Sequence, residues 1–112
     1  MFRTNKNHGF QIEFENKFIL SVQFGPNNYC ANRKNVTFEA MEEAIEGNLP
    51  DQESADAEIA IIDSEGKFVQ LAYDDVQSNV LPKTVVLVAH ELLMPVPNFD
   101  RIRDILVNGM NR

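Results

Sequence analysis

The sequence predicts an α+β fold, a mainly antiparallel sheet of about five strands built from two hairpins with two amphipathic helices. Three observations carry that prediction. Apolar and polar residues alternate strictly from Phe10 to Phe24, as they do along half-buried strands. A second apolar pair flanks the turn residues of Asp63-Ser64-Glu65-Gly66-Lys67. Two further stretches place apolar residues at helical spacing just after a capping residue, Thr37 or Asn98. At 112 residues the chain is expected to form one domain, large enough for a core and too small for two.

Residues 1–8 mix polar and basic side chains without a hydrophobic period and are expected to be a loose lead-in. The first hairpin follows. Phe10, Ile12 and Phe14 share one face, as do Phe18, Leu20, Val22 and Phe24. Keeping both sets on one side requires a loop with an odd number of residues, Glu15-Asn16-Lys17, which pairs Phe14 with Phe18, Ile12 with Leu20 and Phe10 with Val22. Such loops end in a left-handed residue, so Lys17 stands in a glycine-like position. Gly25-Pro26-Asn27-Asn28 then stops the strand, and a polar loop runs to about Asn35.

Thr37 caps a helix carrying Phe38, Met41 and Ile45 on one stripe and Glu39, Glu42, Glu43 and Glu46 outside, ending at Gly47. Residues 49–56 read as a surface loop. In the second hairpin, Ser64-Glu65-Gly66 forms the loop, Ile61 faces Val69, Ile59 faces Leu71, and Asp63 faces Lys67 as a surface ion pair. Gly66 takes the left-handed position. Residues 74–82 are polar and read as irregular, whereas the run Thr84-Val85-Val86-Leu87-Val88-Ala89 reads as a strand covered on both faces. A helical reading of residues 90–94 competes, but Pro95 and Pro97 stop it quickly. The last helix is capped by Asn98, buries Phe99, Ile102, Ile105 and Leu106, and ends before Gly109.

Seventeen acidic residues against ten basic ones give a net charge of −7, unevenly spread. Ten acids and no Lys or Arg lie between Glu39 and Gly66, while the start of the chain is mildly basic. That balance excludes general nucleic-acid binding, which needs clustered cations to displace counterions. No apolar run approaches the roughly 20 residues of a membrane span. The single cysteine forms no internal disulfide, and the start of the chain has no secretory pattern, so a reducing cytoplasm is expected.

Cys30 and His90 are the candidates for catalysis, as nucleophile and general base. No nucleophile signature surrounds Cys30, which reads first as a small residue packed under its loop. Cys30, His8 and His90 lack metal-ligand spacing, so neither metal nor cofactor is expected. Asp74 and Asp75, as neighbours, point to opposite faces and read as a turn. In Asn27-Asn28-Tyr29-Cys30-Ala31-Asn32-Arg33, by contrast, three asparagines accompany an aromatic ring and a guanidinium fork. Asn28, Tyr29, Asn32 and Arg33 are therefore the expected contacts for a ligand or partner.

The stretches GFQIEFEN and SVQFGPNNYCANR, with a fainter echo in ADAEIAIIDSEGKFV, resemble a group of small uncharacterised proteins of tailed bacteriophages. The likeness covers about half of the chain. It implies a phage protein in a host bacterial cytoplasm, and it brings no active site. Accessory proteins of this kind often bind and neutralise a host component, so the resemblance implies a partner that is a host protein of the defence machinery or a small anionic, nucleotide-like ligand. A Phe-rich hairpin also makes a homo-oligomer an option. Two other classes remain open: a small enzyme using Cys30 or His90, and a minor virion component.

Overall fold

The computed structural model describes residues 1–4, 8–25, 28, 30 and 53–110. Among the described residues the five strands are β1 (Phe2–Thr4), β2 (Gly9–Glu13), β3 (Ile19–Gln23), β4 (Ala57–Ile62) and β5 (Val76–Val80). They form one antiparallel sheet in the order β1-β2-β3-β4-β5. Two helices follow, α1 (Pro82–Leu92) and α2 (Phe99–Met110). The α+β class read from the sequence is the class observed.

The first hairpin has the expected register, Phe10 opposite Val22 and Ile12 opposite Leu20. The Phe14 N–H donates to the Phe18 carbonyl at 2.9 Å, and Lys17 adopts φ 72°. Alternation fixes this pairing because a slip by one residue would move every aromatic ring to the other face. Leu20, Ile59 and Ile61 on the sheet are fully buried against Val88 and Leu92 of α1 and Ile102 and Leu106 of α2. β3 and β4 are buried on their second face too, where Ser21, Gln23 and Ala60 are each 7% exposed.

Several elements differ from the sequence reading. Residues 2–4 are not a lead-in but an edge strand paired with β2, held by the Arg3–Glu13 ion pair at 3.2 Å. The run at residues 84–89 is helix, not strand. Pro82 occupies the first turn, where its fixed φ suits a helix, and Leu81 before it is extended. Thr84, Val88 and Leu92 then recur at every fourth residue and are buried together. Packing of that stripe overrides the β-preference of its valines.

Residues 76–80, read as irregular, form β5. Their polar composition is tolerable because β5 is an edge. A bulge opposite Ala57 and Ile59 is accommodated by Asn79 at φ 54°, a conformation open to asparagine. The same strand explains why residues 68–71 are not a full strand. Ile62 bridges Phe68 and the Val69 N–H reaches the Ile61 carbonyl at 2.8 Å, so the expected register begins. Beyond that point the edge of β4 belongs to β5, and the chain leaves to bury Leu71 in the core.

At the turn itself Gly66 has φ 81°, as the loop requires. The expected Asp63–Lys67 ion pair is replaced by Lys67 with Glu65 at 3.3 Å, because the Asp63 carboxylate accepts the backbone N–H groups of Glu65 and Lys67 instead. In α2, Asn98 caps as expected, its Oδ1 accepting the Arg101 N–H at 3.1 Å. The helix runs one residue past Gly109. That glycine allows close packing on α1: a Cβ there would lie 2.5 Å from Thr84 Oγ1. The helix expected over residues 37–47, and the first half of the loop expected over 49–56, lie outside the described residues.

Candidate functional site

Of the four expected contact residues, Asn28 alone is described. Tyr29, Asn32 and Arg33 lie outside the described residues. The Asn28 side chain is engaged within the fold: its Oδ1 accepts the Gly25 N–H at 2.9 Å and its Nδ2 donates to Glu58 Oε1 at 3.4 Å. Its backbone N–H donates to the Gly25 carbonyl and its carbonyl accepts the Cys30 N–H, so the loop closes on itself. Asn28 thus ties the loop to β4, as short polar side chains do in turns.

The candidate nucleophile sits beneath that loop. Cys30 is 3% exposed, and its thiol donates to the Gly25 carbonyl at 3.6 Å. His8 flanks the same glycine, since a Cβ on Gly25 would fall 2.6 Å from His8 Nδ1. A thiol this buried cannot meet a substrate without the loop opening. His90 is exposed in the last turn of α1, a different part of the molecule. Asp74 and Asp75 form an exposed turn in which Asp74 Oδ1 accepts the Asp75 N–H at 2.7 Å. Among the described residues, no group of three or more His, Cys, Asp or Glu is placed to hold a metal ion. No helix among them is long and apolar enough to cross a membrane.

A groove of about 440 Å³ lies where the sheet meets the start of α1. Phe10, Val22, Phe24, Ala57 and Val80 form its floor, and Pro82, Val85 and Val86 form one wall. Glu53, Ser54 and Asp56 also line it. The apolar wall continues onto the surface, with Val86 67% and Leu81 39% exposed. Asp56 accepts from the Asn79 amide at 3.2 Å, which links the rim to the bulge of β5. Glu53 is exposed and pairs with no Lys or Arg among the described residues. The Ser54 hydroxyl oxygen is buried and finds no hydrogen-bond partner among them.

Sequence reasoning missed this groove. Phe10, Val22 and Phe24 read correctly as core-facing, but nothing local shows that their end of the sheet lies open. The one available signal was the run at residues 84–89, apolar on every side. One helix cannot bury all of such a run against one sheet, so part of it must stay at the surface. The chain matches no protein-family model, no curated protein and no solved structure.

Proposed function

We propose that the protein is a non-enzymatic accessory factor of a tailed bacteriophage, acting in the host cytoplasm by binding and masking a host protein of the defence machinery. The groove beside α1 carries this reading. An open apolar cleft of about 440 Å³ in so small a domain, bordered by valine at the surface, is a feature of binding surfaces. The candidate catalytic groups support the same choice, for the Cys30 thiol is buried and bonded to a backbone carbonyl. Masking a protein also fits better than sequestering a small anion in the groove, because the exposed Glu53 would repel one there.

The test is affinity capture of the full chain from infected host cells, followed by native mass spectrometry. A stoichiometric host protein is the expected result. A retained nucleotide-like anion would move the function to the expected contacts Tyr29 and Arg33. Recovery of the chain in purified virions with no host protein bound would support the structural class instead.

A further inference from the structure

We infer that the groove receives a peptide segment of the partner that carries apolar side chains next to a lysine or arginine. This rests on the binding reading above and names the chemistry that the groove selects.

The surface offered to an occupant is mostly apolar, from Phe10, Phe24, Val85 and Val86 among others. Burial of apolar side chains is therefore the source of affinity. The occupant is a polypeptide and not a small molecule because the apolar surface does not stop at the rim. Val86 of the wall is itself 67% exposed, and Leu81, 39% exposed, stands in the chain between the lining residues Val80 and Pro82, so a chain running across the groove covers both.

Charge sets the rest. No basic residue lines the groove among the described residues, and the exposed carboxylate of Glu53 does. Glu53 is exposed with no cationic partner there, and the whole chain carries −7. A cation in the incoming segment meets complementary potential both at the rim and at long range.

The test titrates the full-length protein with three labelled synthetic peptides of equal length. The first alternates leucine with lysine, the second has glutamate for lysine, and the third has serine for leucine. The first should bind at least about tenfold more tightly than either other. Val86→Asn should weaken it about tenfold, whereas Leu93→Asn, exposed at the C-cap of the same helix and outside the groove, should leave affinity within about twofold. Glu53→Lys, a surface change that spares the core, should weaken the lysine peptide and improve the glutamate peptide. Equal binding of the first two peptides, equal effects of the two asparagine variants, or no binding of the leucine-lysine peptide would each overturn the proposal.

The same variants separate this inference from the function it rests on. If a host protein is captured as well by Val86→Asn and Glu53→Lys as by the unaltered chain, the masking function stands and the groove is not its site. If no host protein is captured while the peptide series behaves as expected, the groove chemistry stands and the masking function falls.

Discussion

The two chain reversals, at residues 15–17 and 64–66, are built on the same plan and end differently. Each places a left-handed residue last, Lys17 at φ 72° and Gly66 at φ 81°. Around the second, every stabilising bond is local: Asp63 accepts two backbone N–H groups within four residues, and the pairing ends soon after the Ile62–Phe68 bridge. Around the first, the bonds are long-range. The half-buried Asn16 side chain donates 2.7 Å hydrogen bonds to the carbonyls of both Leu92 and Met94, while its oxygen accepts the Phe18 N–H. Phe18 in turn meets Phe99 edge to face, with ring centroids 5.2 Å apart. The turn with the less suitable residue is therefore the one that is firmly seated. Tertiary anchoring offsets a left-handed lysine, and a well-chosen glycine does not by itself extend a hairpin.

The contrast breaks first at Asn16. Asn16→Ala should cost about 2–3 kcal/mol in urea unfolding, because two carbonyls near the end of α1 lose their donor in a half-buried setting. A loss below about 0.5 kcal/mol would show that the anchor contributes nothing and that the two turns are equivalent. Next in size is Gly66→Ala. A Cβ there meets no neighbour, so its cost of about 1–2 kcal/mol comes from backbone conformation alone. The smallest change is a gain. Lys17→Gly should stabilise by about 0.5–1 kcal/mol by relieving the left-handed side chain, as read by the thermal midpoint, and a loss would mean that the lysine stem supports the turn.

What could be read from the sequence follows the same division. The β2–β3 register was legible because alternation specifies a face at every position from Phe10 to Phe24, so local pattern and global packing agree. The Gly66 turn and the Asn98 cap were legible because each is satisfied within a few residues. Helix α1 was not, since its valines favour a strand locally. The decision for helix came from Pro82 at its start, the buried Thr84-Val88-Leu92 stripe and the Asn16 amide from another part of the chain. β5 was hidden for a related reason: Gln77, Ser78 and Asn79 carry no strand signal, and only the free edge of β4 recruits them.

For the candidate site, side-chain chemistry was legible and placement was not. Cys30 as a packed thiol follows from its lack of any nucleophile signature, and its burial agrees with that. Asn28 reads as a ligand contact from its amide, and a list of donors does not reveal that Gly25 and Glu58 engage that amide within the fold. The groove depends on Phe10 and Val86 being brought together across more than half the chain, which no short window contains.

The Asn16 anchor also bears on the order in which the molecule is completed. Its acceptors lie 76 and 78 residues further along the chain, so on a ribosome the β2–β3 hairpin emerges long before the helix end it will seal. Until α1 has been made, the Asn16 amide has only water to bond, and until the hairpin docks, the Leu92 carbonyl lacks that donor. Neither half can reach its final stability without the other. Such distant pairing slows folding and makes it cooperative, so the sheet and the helices should be lost together in a single unfolding transition.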